Sequence, residues 1–188
     1  MADTRLKDAA QQYLNKRGPT SVSRAEVNMP MAWNYCEAVQ DNNPVYWDEE
    51  FAKKTRFGGL ICPPQMLKVM AGGHWWAPDY VRERQQKAIE SQGEDYVGKV
   101  RAMSDKMGYS INTQVGTEGE FLAPIKPGDG HLLMTSLVTE VSEEKQTRVG
   151  RGVFITSVVE YRTEKDNKLV GRTKMVLLKY IPGTGRQT

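Results

Sequence analysis

Three stretches decide the architecture: Leu132–Val141 (LLMTSLVTEV), Arg148–Tyr161 (RVGRGVFITSVVEY) and Leu169–Tyr180 (LVGRTKMVLLKY). They are rich in β-branched and aromatic residues, and the segments between them, Ser142–Thr147 and Lys165–Lys168, are polar. Their lengths predict three long strands joined by hairpin loops in an antiparallel meander. Working outward, Ile111, Thr113 and Val115 alternate with polar neighbours, and Phe121-Leu122 precede the turn Lys126-Pro127-Gly128-Asp129. A further strand is expected there. Before Gly108 the period is helical instead, so the chain reads as α+β, helices first and an antiparallel sheet after.

The helical half is punctuated by turn chemistry. Leu6, Ala9, Ala10, Tyr13 and Leu14 recur at helical spacing until Gly18-Pro19. Met31, Trp33, Tyr35, Cys36, Ala38 and Val39 suit a second helix, ended by Asp41-Asn42-Asn43-Pro44. Asp48 is placed to cap a segment Glu49–Thr55, acidic at its start and basic at its end, as the helix dipole favours. After Pro63-Pro64 an apolar helix is expected through Ala71, stopped by Gly72-Gly73. The polar stretch Arg82–Asp105 is the least constrained part, a helical excursion or a loop.

The 188 residues fit one domain, taken as 1–188 with an excursion around 73–108. Such an excursion suits either reshaping of a binding tunnel or solvent-facing decoration. Lys and Arg number 26 against 23 Asp and Glu, a net +3 spread too evenly for a nucleic-acid footprint. No apolar run approaches the ~18 residues of a membrane helix, and Met1–Lys16 shows no signal-peptide core. Cys36 and Cys62 lack metal or redox spacing, and the only histidines are His74 and His131, so no metal site is expected. Reduced thiols in a cytoplasmic protein fit best.

The segment Tyr35–Ala52 (YCEAVQDNNPVYWDEEFA) resembles the signature of MaoC-like, (R)-specific enoyl-CoA hydratases, roughly Y-A-x-x-x-G-D-x-N-P-I-H-x-D-x-x-x-A. Arg56–Pro64 (RFGGLICPP) and Gly116–Asp129 resemble two further family segments, closer to the FAS1-like dehydratase subgroup. The resemblance implies a hotdog fold, an antiparallel sheet wrapped around one central helix. It implies an acyl-CoA substrate, coenzyme A arriving with the substrate rather than as a cofactor, and a partner that is a second MaoC-like chain or a second copy. In that family an Asp and a His activate water for addition to a trans-2-enoyl thioester, and a backbone N–H beside a His-Gly pair polarises the carbonyl.

Carried onto this chain, the catalytic candidates are Asp41 and, at the His position, Tyr46. The substrate-binding candidates are Asn43, Gly59, Pro64 and Gln65. Two departures stand out. A tyrosine of ordinary pKa near 10 is a poor base at neutral pH. Pro63-Pro64 replace His-Gly, and proline has no N–H to give, which leaves the N–H groups of Gln65 and Met66. Gln40 also replaces the motif glycine.

Plainer readings stand beside these. Asp41 also suits a simple Asx turn, and Gly58-Gly59 a simple loop. Trp75-Trp76 fit an acyl pocket or interface packing, and His131 a structural role. Lys53, Lys54 and Arg56 fit coenzyme A phosphates or a basic helix end, and Glu118 and Glu120 a solvated strand face. Three functions follow: the acyl-binding subunit of a heteromeric hydratase or dehydratase, an autonomous homodimeric hydratase or thioesterase using Asp41 and Tyr46, or a non-enzymatic acyl-CoA binding module.

Overall fold

The structure, a computed structural model, describes residues 3–71 and 76–183. The expectations placed on Gly72-Gly73, His74 and Trp75 lie outside the described residues. In chain order the helices are α1 (Arg5–Ala10), α2 (Met29–Val39), α3 (Glu49–Lys53), α4 (Met66–Ala71), α5 (Asp79–Glu90) and α6 (Tyr96–Lys106). The strands are β1 (Thr20–Val22), β2 (Ile111–Phe121), β3 (Leu132–Val141), β4 (Lys145–Thr147), β5 (Gly150–Thr163) and β6 (Leu169–Pro182).

Every strand pair is antiparallel, in the order β1-β3-β5-β6-β2, with β4 folded back on β5. The three long strands are adjacent, as their sequences predict. Two features depart from a simple meander. The short Thr20-Ser21-Val22 forms a strand where no period is readable in three residues, and Lys145–Thr147 turns part of an expected loop into β4. β2 lies beyond β6, so the link from β2 to β3 must cross one end of the sheet. That crossing is tied down where the Cys62 N–H donates to the Ile125 carbonyl at 2.8 Å.

Helices cover one face of the sheet in two blocks. In the first, Met66, Leu67 and Met70 of α4 pack with Leu132, Met134, Tyr161 and Val170. α4 sits so close that a Cβ added at Gly171 would meet the Leu67 Cδ1 at 2.5 Å. Met66 is fully buried, a burial worth roughly 1.5–3 kcal/mol. In the second block Leu6 and Ala10 of α1 and Val97 and Val100 of α6 pack on Val138, Val141, Val153 and Ile155. A bulge between Val138 and Glu140 shifts the alternation, which is why Val138 and Val141 both reach this face.

The Arg82–Asp105 segment is therefore two different things. α5 has no buried residue, whereas α6 is core, capped by Asp95 accepting from the Gly98 N–H at 2.9 Å and held to β6 by Lys179 Nζ, 2.5 Å from Asp105 Oδ1. Its inward stripe is short and includes the buried Ser104, so the pattern was too weak to read as amphipathic. On the other sheet face Glu160, 5 % exposed, receives Arg17 at 3.0 Å and Arg172 at 3.3 Å. β2 is paired on one side only and exposed along nearly its whole length, on both faces.

Candidate functional site

The loop after α2 is built by its own sequence. Asn28 caps α2 by accepting from the Met31 N–H at 2.9 Å, and the helix ends where Gln40 enters the left-handed region at φ +57°. Glycine adopts that conformation without strain, which explains the glycine of the resembling motif. The Asp41 N–H returns to the Cys36 carbonyl at 2.9 Å, and the Asp41 carboxylate accepts from the Asn43 N–H at 3.1 Å. Asn43 in turn accepts from the Val45 N–H at 3.2 Å, opening the short 3-10 turn Pro44–Tyr46. Asp48 accepts from the Phe51 N–H at 2.9 Å and caps α3, as its position predicts.

Two tryptophans brace this loop from opposite ends. The Trp47 indole N–H donates to the Asp41 carbonyl at 2.8 Å, and that of Trp33 to the Tyr46 carbonyl at 2.9 Å. Neither was identified from sequence, since a carbonyl contact leaves no pattern in residue spacing.

Asp41 lines an open cleft of about 570 Å³ with Cys36, Glu37, Pro44, Trp47 and Asp48. Tyr46 does not line it. Its side chain lies in a separate core cluster with Cys36, Val45, Ala52 and Ile61, only 7 % exposed. Burial first, and then the nearby Asp41 charge, push the Tyr46 hydroxyl above its ordinary pKa. The Cys36 thiol is raised for the same two reasons. Both shifts favour the neutral forms, the reverse of what an attacking base needs.

Pro64 belongs to a second cavity, a slot of about 190 Å³ walled by Arg56, Phe57, Leu67 and the crossing segment Phe121–Ile125. The Arg56 guanidinium lies 4.9 Å from the centre of the Phe57 ring. Cys62 also lines it, its thiol pushed up to about 12 by burial. Gly58 holds φ +69° at the turn before it. Gly59 and Gln65 line neither cavity as found, and Gln65 is exposed.

α4 begins at Met66, two residues after Pro64, through a turn in which the Met66 N–H donates to the Pro63 carbonyl at 3.0 Å. That N–H is therefore committed within the chain. Of the other residues weighed, Trp76 is 77 % exposed, and His131 sits with Nδ1 2.9 Å from the Ser23 carbonyl, in a structural contact. Lys53 pairs with Glu49 and Glu50, while Glu118 and Glu120 pair with Lys174 and Arg172 across the sheet. Among the described residues no group of three or more metal-ligating side chains converges, and no helix is long and apolar enough to cross a membrane.

An antiparallel sheet with a central helix packed on one face, and a loop and a slot at the helix entrance, is the arrangement of a hotdog domain. Residues 19–172 match the family model described as FAS1-like, dehydratase domain region, and the chain belongs to that family. It is 31% identical over 162 residues to the "Probable enoyl-CoA hydratase alpha subunit" of Thermomonospora curvata, covering 86% of this chain and 47% of that protein. It is 26% identical over 183 residues to the 3-oxo-4,17-pregnadiene-20-carboxyl-CoA hydratase alpha subunit of Mycobacterium tuberculosis, covering 94% of this chain and 52% of that one. The chain thus spans about half the length of these relatives.

Among solved structures, a chain of the ChsH1-ChsH2 complex from Mycobacterium tuberculosis superposes with TM-score 0.78 at 23% identity, over 97% of this chain and 99% of that one. The MaoC-like dehydratase from Rhodospirillum rubrum gives TM-score 0.54 at 16% identity, over 90% and 94%. These two likenesses carry the fold.

Proposed function

We propose that this chain is the acyl-binding hotdog subunit of an enoyl-CoA hydratase or dehydratase, acting on a trans-2-enoyl-CoA thioester together with a second MaoC-like chain that carries the intact Asp and His. One observation carries the reading. The residue at the family's His position, Tyr46, is packed into a core cluster with its hydroxyl driven toward the neutral form. Proline at 63 and 64 and the internal Met66 bond remove N–H groups that would polarise a thioester. Binding in the slot beside Pro64 requires neither a base at position 46 nor an N–H at position 64.

The acyl group enters the slot beside Pro64, with Arg56 at its rim, and Asn43, Gly59 and Gln65 flank the thioester and pantetheine. At about 190 Å³ the slot is smaller than the roughly 300–1,000 Å³ of a complete small-molecule site. Phe121 and Leu122, on its wall, are 47% and 46% exposed where the edge strand β2 ends, a strand paired only to β6. A partner added along β2 covers that edge and completes the slot. Coenzyme A arrives with the substrate and no separate cofactor takes part. The chain acts as one domain, with two buried free thiols that suit a reducing cytoplasm.

The test is hydration of a short trans-2-enoyl-CoA by the purified chain, alone and after co-expression with a second MaoC-like chain. The expected result is very weak turnover alone, efficient turnover by the pair, and survival of that turnover in Asp41→Asn. Efficient turnover by the lone chain, lost on Asp41→Asn, would favour the autonomous enzyme. Tight acyl-CoA binding without turnover in either form would favour a binding module.

A further inference from the structure

α5 buries none of its residues, yet it stands beside the outer edge of β1 and encloses with it a slot of about 360 Å³. β1 is a terminal strand, so one side of its backbone faces that slot. Its inner ladder is set by the Ser23 N–H, which donates to the Leu132 carbonyl at 2.8 Å, and by the register Ser21 opposite Met134. In an antiparallel pair, alternate residues turn their N–H and C=O groups to opposite sides. Thr20 and Val22 therefore present theirs away from β3.

One of those outward groups is already satisfied in the manner of a strand. The Thr20 N–H donates to Oε1 of Gln92 at 3.0 Å, so a side-chain carboxamide stands where the carbonyl of a neighbouring strand would stand. The slot has apolar walls in Val22, Met134, Ala88 and Ile89. Arg24 closes one end. It is exposed and takes part in none of the ion pairs formed among the described residues.

We propose that this slot is a strand-addition site for a short extended peptide of a partner protein, with Gln92 as its built-in competitor. A peptide satisfies the outward backbone groups of Thr20 and Val22, which an apolar small molecule would leave unpaired. Every strand pair in the sheet is antiparallel, and the incoming segment follows the same rule. Arg24 lies past the C-terminal end of β1, so the acidic residue that answers it stands at the N-terminal end of the peptide. The three residues of β1 offer about 10 Å of edge, enough for a pairing core of three residues. This proposal is independent of the reading of the hydratase site.

The experiment titrates the full chain, ¹⁵N-labelled, with acetyl-Glu-Val-Thr-Val-Thr-amide and follows the backbone amides of residues 20–24. Saturable shifts confined to β1 and α5 are expected. A peptide N-methylated at its central threonine should bind at least tenfold more weakly, and one with lysine in place of glutamate about fivefold more weakly. Gln92→Ala should bind the parent peptide severalfold more tightly, because the competing carboxamide is gone. No shift at 5 mM peptide, equal binding of the N-methylated form, or weaker binding by Gln92→Ala would each overturn the proposal.

Discussion

The indole N–H of Trp33 reaches the carbonyl of Tyr46 at 2.9 Å, so α2, which packs beside α4, holds the backbone of the residue at the motif's catalytic position. The same residue's ring is buried among Cys36, Val45, Ala52 and Ile61. Tyr46 is thus held at both backbone and side chain by packing.

Tyr46→Phe keeps that packing and should change stability by less than about 1 kcal/mol, while Tyr46→Ala should cost about 3–5 kcal/mol by opening a cavity. Urea unfolding of the two variants measures the difference. Equal, small losses would show that the ring is not packed as described.

Gln40 takes the left-handed conformation at φ +57°, alongside Asn15 and Asn167, whose side chains tolerate it better. Gln40→Gly should stabilise the chain by about 1 kcal/mol, seen as a rise of roughly 2–4 °C in Tm. Gln40→Val should lower it.

Gly171 and Gly116 lie on paired strands but in different surroundings. A Cβ at Gly171 would meet Leu67 Cδ1 at 2.5 Å and the Glu120 carbonyl oxygen at 2.7 Å, whereas one at Gly116 meets nothing nearer than 3.7 Å. Gly171→Ala should cost about 1–3 kcal/mol, and Gly116→Ala should be neutral or slightly stabilising. Thermal melts of both separate the cases.

Burial alone would raise the pKa of Glu160, but hydrogen bonds from Arg17 and Arg172 hold it below the ordinary carboxylate value. The unfolded chain then binds the proton more readily. Stability from this group is complete above the ordinary glutamate range and is lost as pH falls through the lowered value. Urea midpoints measured from pH 6 down to pH 3 should fall less steeply in Glu160→Gln than in the parent.

The loop departs from the motif it resembles at Tyr46 and at Pro64, and under the proposed function repairing one of them should achieve little. Tyr46→His should remain nearly inactive, because a missing oxyanion donor alone costs on the order of a hundredfold. Tyr46→His with Pro64→Gly should hydrate a short enoyl-CoA measurably better than either single variant, once circular dichroism has shown the fold intact. A folded, ligand-binding double variant no better than the parent would show that further positions matter.

The three long strands, the cap at Asp48 and the stop of α2 were legible, because each rests on a local rule: strand-like composition, a side-chain acceptor, and the turn chemistry of Asp41-Asn42-Asn43-Pro44. The position of β2 was not, since nothing within Ile111–Phe121 encodes which strand it joins. β1 is too short to show a period, and α6 hides its core face behind Ser104 and Gly98. At the site, the motif placed Asp41, Asn43 and Tyr46 on one loop. It did not show that Asp41 faces one cavity, Pro64 another, and Tyr46 neither. That separation depends on how the loop packs over Ile61, a contact made by residues distant from the motif.

The contrast between α5 and α6 also bears on how this chain can be cut and joined. They follow one another, separated by a few residues around Gly93, but only the second is sealed beneath the sheet, through Val97, Val100 and the Lys179–Asp105 contact. A miniaturised scaffold that replaces the first helix with a short linker keeps every buried side chain, whereas a deletion extending past Asp95 removes part of the interior. The same boundary marks where a reporter or affinity module is best inserted: within the first helix, at the side away from Gln92, and not in the second.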